Sequence, residues 1–160
     1  MFPTCNMPER VADFEEHRDH LSRIAYRMLG TRADVDDVLQ DAFLRWTNSQ
    51  RSDVHSPRAF LSTTVTRLCI DRRREIEARK ETYVGPWLPE PIVDFETATP
   101  ERAEMAESIS LALMHVLESL SPAERAAYLL RTMFDYDYSE IAAVLEKSEP
   151  SCRQLVSRAQ

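Results

Sequence analysis

Apolar residues recur at helical spacing along most of this chain, and no stretch of useful length alternates with period two. Phe14, Leu21, Ile24, Ala25, Met28 and Leu29 form one stripe over residues 13–30, and Gly30 follows as a helix stop. Thr31 or Asp34 can cap a second helix, whose stripe is Val35, Val38, Leu39, Ala42, Phe43 and Trp46. Residues 47–56 are polar and read as a loop. Ser56 and Pro57 then open a third helix through Phe60, Leu61, Val65, Leu68, Cys69 and Ile70 to the run Arg72–Arg74.

Between residues 81 and 101 the pattern stops. Pro86, Pro89, Pro91 and Pro100, four of nine prolines in the chain, forbid a regular helix there. Yet Tyr83, Val84, Trp87, Leu88, Ile92, Val93 and Phe95 make the segment too apolar for an idle tether, so it is expected to pack against the helices and hold them together. Helical spacing resumes from residue 102. Ser121-Pro122-Ala123-Glu124 is a capping box with proline at the first helical position, opening a helix that buries Ala127, Tyr128, Leu130, Met133 and Phe134. Asp135–Asp137 break it. Two short helices follow, about Tyr138–Leu145 and Glu149–Ala159, the second capped by Ser148. The pattern predicts an all-α fold of two small helical domains, 12–80 and 102–160, with residues 1–11 a flexible tail. The brief turn between the last two helices marks a helix-turn-helix.

Composition narrows the function classes. With 160 residues, 43% hydrophobic and 29% charged, the chain is of globular type. No apolar run is long enough to cross a bilayer and no signal peptide opens the chain, so a cytoplasmic location without membrane contact is expected. Only Gly30 and Gly85 are glycines, too few for a P-loop or a dinucleotide fold. Cys5, Cys69 and Cys152 form no C-x-x-C pair; the last two read as small core residues. His17 and His20 lie three apart on one helix without a third metal ligand, no nucleophile elbow is present, and His115 reads as structural. No cofactor, metal or catalytic residue is expected. The net charge of −7 disguises an uneven distribution. Asp34–Asp41 is acidic, while Arg51–Lys80 carries Arg51, Arg58, Arg67, Arg72, Arg73, Arg74, Arg79 and Lys80 against four carboxylates. A basic helix beside an acidic one implies two different partners.

The last helix presents Ser151, Arg153, Gln154, Ser157 and Arg158 on its polar sides, with Cys152, Val156 and Ala159 inward. Arg and Gln can each bond a base edge in bidentate fashion, while serines suit phosphates. Spacing alone leaves this as either a DNA-reading helix or the solvated face of a helical hairpin.

The motifs resolve that choice. YSEIAAVLEKSEPSCRQLVSRA resembles the second helix-turn-helix of sigma factors, DVDDVLQDAFLRW resembles the sigma segment that docks on the RNA polymerase clamp, and PRAFLSTTVTRLCIDRRR is similar to the segment that follows it. Without the middle domain of housekeeping sigma factors, the chain is identified as a member of the extracytoplasmic-function (ECF) class. The linker motif YVGPWLPEP is similar to that of a subgroup with a C-terminal SnoaL-like domain. That domain would follow the recognition helix, and the sequence stops at Gln160.

The resemblance implies roles residue by residue. Asp34, Asp36, Asp37, Gln40 and Asp41, with Leu44 and Trp46 behind them, would meet core RNA polymerase. Asp53, Val54, His55, Ser56 and Arg58 would capture a flipped base of the opened minus-ten element of promoter DNA, with Arg67, Arg72, Arg73 and Arg74 on phosphates. Arg153, Gln154 and Ser157 would read the minus-thirty-five element, with Ser151 and Arg158 on its backbone. Tyr83, Trp87, Leu88 and Pro89 would form a regulatory linker meeting a further domain or protein, and Glu90, Asp94 and Glu96 would lie near the nascent RNA. Glu146 stands where many relatives have glycine, at about 1 kcal/mol for a left-handed residue. The alternative is a helix-turn-helix regulator acting without polymerase.

Overall fold

The computed structural model describes residues 7–49, 54, 56–80 and 112–160. Among these the regular structure is entirely helical: α1 (Met7–Leu29), α2 (Arg32–Asn48), α3 (Pro57–Lys80), α4 (112–118), α5 (Pro122–Thr132), α6 (Tyr138–Leu145) and α7 (Glu149–Arg158). Asp53, His55 and the linker residues Tyr83, Trp87, Leu88, Pro89, Glu90, Asp94 and Glu96 lie outside the described residues.

The caps fall where side-chain chemistry puts them. Gly30 takes φ 82° and its N–H donates to the Tyr26 carbonyl, closing α1. Thr31 Oγ1 accepts from the Asp34 N–H at the start of α2, and Ser56 Oγ accepts from the Ala59 N–H at the start of α3. Ser121 and Glu124 complete a reciprocal capping box on α5, at 3.3 and 3.1 Å. The Ser121 hydroxyl and then the Ser121 N–H, both donating to Glu124 Oε2, hold the Glu124 carboxyl below its ordinary pKa. Ser148 caps α7 through the Ser151 N–H. Glu146 adopts the expected left-handed conformation, φ 53° and ψ 43°, ending α6.

The N-terminal expectation needs correction. Residues 7–11 are not a tail: α1 starts at Met7 because Arg10 is tied down. Its guanidinium donates to the Trp46 carbonyl, to Ser49 Oγ (2.9 Å) and to the Ser49 carbonyl (2.6 Å), and it lies 4.9 Å from the Trp46 ring centroid. The Trp46 indole in turn donates to the Arg10 carbonyl at 2.9 Å. The guanidinium adds to the Ser49 N–H and hydroxyl already on the Trp46 carbonyl, and a cation at the C-terminal end of a helix is electrostatically favourable.

Helices α1, α2 and α3 pack around Leu21, Ile24, Leu29, Val38, Trp46, Leu61 and Val65, all buried. Helices α4–α7 pack around Leu117, Ala126, Leu130, Ile141, Cys152 and Val156. Met133, expected inside, is 42% exposed, because α5 ends at Thr132 and the chain turns through left-handed Asp135. His115 lies on the exposed side of α4 and has no core role. Cys69 and Cys152 are buried free thiols, and burial raises the pKa of both.

The two helical units touch directly. Arg125 of α5 donates from Nε and Nη2 to the Arg27 carbonyl at the end of α1, at 3.0 and 2.9 Å, and from Nη1 to the Leu117 carbonyl. It is fully buried; desolvation, reinforced by the nearby Arg73 charge, pulls its pKa down to about 9. Arg67 of α3 donates to the Val144 and Ala143 carbonyls at the end of α6, both at 2.9 Å, and pairs with Glu146 at 3.1 Å. His20 of α1 meets the Tyr136 hydroxyl at 3.0 Å and stands edge-on to Phe134.

Candidate polymerase-facing and nucleic-acid-reading surfaces

The residues expected at the polymerase separate into two sets. Asp36, Asp37, Gln40, Asp41 and Leu44 are exposed on α2, with Leu44 51% accessible despite being apolar. Positions 37, 40, 41 and 44 share one side of the helix by their spacing. Asp34 and Trp46 do not belong with them. Asp34 accepts from Thr31 Oγ1 (2.6 Å) and from Arg72 Nε (2.8 Å), fastening α2 to α3. Trp46 is 1% exposed and packs at a tilt of 46° against Phe60, 5.5 Å between ring centroids, so it is core. Both corrections have one origin: i+3 and i+4 spacing puts a residue on a stripe but does not say which neighbour that stripe meets.

A groove between α2 and α3 extends the acidic face. Asp37 and Asp41 from α2 and Asp71 and Glu75 from α3 line it, against the cations Arg45 and Arg72. Asp71 and Glu75 were hidden in the sequence by the arginine run beside them. Arg72 pairs with Asp34 at 2.7 Å, and that hydrogen bond raises the Arg72 pKa.

The four arginines expected on phosphates have different fates. Arg73 is 1% exposed, beside Glu77 (3.4 Å) and Glu118 (3.8 Å), and cannot meet DNA in this arrangement. Arg72 is held by Asp34, and Arg67 is held by the end of α6. Arg74 lies at the surface with Asp71 at 3.6 Å. Ser56 and Arg58 are exposed, and Val54 is half-buried at the mouth of a cleft that also takes in Thr63, Arg67 and Ala143. A second cleft runs from Ser56 and Arg58 to Phe134, Tyr136 and Glu140. The start of α3 therefore faces α6 and the turn before it.

On α7 the arrangement is open. Arg153, Gln154, Ser157 and Arg158 are exposed, Ser151 is half-buried in the cap, and Cys152 and Val156 are buried beneath them. Arg153 pairs with Glu149 at 3.2 Å, and Arg158 reaches Glu124 only at 4.0 Å. Among the described residues no cluster of three metal-ligating side chains exists, and no helix is long and apolar enough to cross a membrane.

A helical unit with an acidic face packs against a second helical unit that ends in two short helices joined by a brief turn, the last with an exposed polar side. Residues 14–79 match the Sigma-70 region 2 model and residues 110–159 match Sigma-70 region 4. The chain belongs to the ECF sigma factors of the sigma-70 family. It is 33% identical to the ferric citrate uptake sigma factor FecI of Escherichia coli, covering 89% of this chain and 82% of that one. It is 46% identical to the ECF RNA polymerase sigma factor SigJ of Mycobacterium tuberculosis, over 93% of this chain and 48% of SigJ. The chain thus spans about half the length of SigJ and of SigI, a further relative from that organism covered to 52%. The crystal structure of SigJ superposes with a TM-score of 0.69 at 42% identity, over 93% of this chain and 51% of that one. RpoE from Bartonella quintana, solved in complex with the anti-sigma factor NepR, shares the fold, with a TM-score of 0.63 at 16% identity over 95% of this chain and 89% of RpoE.

Proposed function

We propose that this chain binds core RNA polymerase and directs promoter-specific initiation, acting by recruitment and making or breaking no bond itself. The observation that carries this reading is the presence in one chain of an exposed acidic helix face and an exposed recognition helix. Asp36, Asp37, Gln40, Asp41 and Leu44 meet a basic surface of the polymerase, and charge complementarity speeds docking and fixes register. Asp71 and Glu75 join them from α3. Residues 53–58 hold a base of the opened minus-ten strand, with Arg74 on its backbone, while Arg153, Gln154 and Ser157 read the upstream element in the major groove and Arg158 takes a phosphate.

Arg67 has two roles in this reading. It caps α6 in the free chain and turns to a phosphate when the two units part on polymerase. The motif YVGPWLPEP resembles that of the subgroup with a SnoaL-like domain, which supports reading the linker as a regulatory element. The chain works in the cytoplasm, where polymerase and promoter are.

Reconstituted transcription with core polymerase tests this reading. The chain should support initiation at a promoter selected from a random library, and charge reversal at Asp36 and Asp37 should abolish polymerase capture while the helical content persists. A chain that binds duplex DNA but neither captures polymerase nor supports initiation would be a polymerase-independent regulator instead.

A further inference from the structure

Three helices of the C-terminal unit converge on one aromatic ring. Tyr138 is the first residue of α6, and the guanidinium carbons of Arg131 from α5 and Arg153 from α7 lie 5.0 and 4.9 Å from its ring centroid. Arg131 is fixed independently by donating to the Tyr136 carbonyl at 3.0 Å. Tyr138 stands in the first turn of α6, where the Asp137 N–H donates to Glu140 Oε2 at 2.8 Å and caps the helix.

From this geometry we infer that Tyr138 is a positioning residue for base recognition: its π face holds the Arg153 side chain in the orientation in which α7 presents it to the major groove. The inference rests on the reading of α7 as the helix that contacts bases. An exposed arginine is otherwise free about four side-chain bonds, and that freedom must be surrendered when it forms a bidentate contact. Cation–π contact draws on the charge of the guanidinium, leaving its N–H donors for a guanine edge. Glu149, one turn earlier on the same helix, accepts from Nη2 of the same guanidinium at 3.2 Å, leaving its other N–H donors for a base edge. Among the described residues the cation–π contacts of α7 involve Arg153 and not Arg158. The discrimination most sensitive to Tyr138 is therefore the one made by Arg153.

The test uses the whole chain assembled with core polymerase, transcribing a promoter library randomised across the upstream element. Arg153→Ala first identifies the base position that Arg153 reads. Tyr138→Leu should lower selectivity at that same position by about 2- to 5-fold, the size of one exposed cation–π contact, and leave the other positions and the salt dependence unchanged. Tyr138→Phe keeps the π face and should behave as wild type. If Arg153→Ala flattens one position and Tyr138→Leu does not, or if Tyr138→Phe fails as Tyr138→Leu does, the positioning role is overturned while base reading by α7 stands. If Arg153→Ala changes no position, base reading by Arg153 falls, and the role of Tyr138 falls with it. Proton resonances give a measurement free of any variant: ring current should move the Arg153 δ-methylene signals upfield in the wild-type chain, and unshifted signals would overturn the proposal.

Discussion

The start of α3 and the exposed side of α7 are both surfaces on which DNA contact is expected, yet they stand in opposite situations. On α7, Arg153, Gln154, Ser157 and Arg158 are exposed, Arg153 being steadied only within its own unit, because Cys152 and Val156 bury the opposite side of the helix there. On α3, Arg67 is spent on the last carbonyls of α6, and the clefts beside Ser56 and Arg58 are walled by the C-terminal unit. One surface is ready and the other is covered. The contacts between the units include two arginines on helix-end carbonyls and a His–Tyr pair, and the exposed ones among them can be exchanged for other polar partners at modest net cost.

If Arg125 fastens the units together, its removal should have the largest effect. Arg125→Ala removes two donors from the Arg27 carbonyl and one from the Leu117 carbonyl, which keeps the Leu120 N–H, and should destabilise the chain by about 2–3 kcal/mol in urea unfolding. Small-angle scattering should show the surviving folded molecules expanded. Unchanged dimensions would mean that apolar packing alone holds α5 on α1.

The open surface is tested by alanine at Arg153 and Gln154. Each lost bidentate contact should cost about 1–3 kcal/mol at its own base pair and little elsewhere. Arg158→Ala should instead weaken all sequences alike and reduce the salt slope by about 1. Uniform loss in both variants would erase the division between base and phosphate contacts.

Acid should loosen the covered surface but not the open one. Burial lowers the pKa of His20, and the charges of Arg58, His17 and Arg23 lower it further. The free-chain value for histidine is near 6.5. Above it the ring is neutral in either state and costs nothing. As pH falls below it, a released His20 takes up a proton that the packed one resists, so contact with Tyr136 loses stability towards the depressed value. Amide exchange near Phe134–Tyr136 should rise below that pH. A flat profile, or one absent only in His20→Gln, would respectively dismiss or establish the role of this pair.

The smallest effect belongs to Glu146, which sits between the two surfaces. Glu146→Gly relieves a left-handed residue but drops its exposed pair with Arg67. A net gain of under about 1 kcal/mol in thermal unfolding is expected. A loss would mean that the ion pair outweighs the backbone strain.

The local chemistry of this chain is readable from its sequence. Gly30, Thr31, Ser56-Pro57, the Ser121–Glu124 box and Ser148 each act within three or four residues, and each forms the cap its type predicts. The left-handed turn at Glu146 was legible for the same reason, and so were the exposed side chains of α7, whose inward positions Cys152 and Val156 are set by its own periodicity. What tertiary structure alone decided is which charged groups are consumed by neighbours far away in the chain. Arg10 and Trp46 are 36 residues apart, and nothing near either announces that one closes the helix of the other. Arg72, Arg73 and Arg74 are consecutive and chemically identical, but a rotation of about 100° per residue points one at Asp34, one into the interior and one at solvent. A helical period fixes the angle between side chains; only the packing of the other helices fixes what stands at each angle.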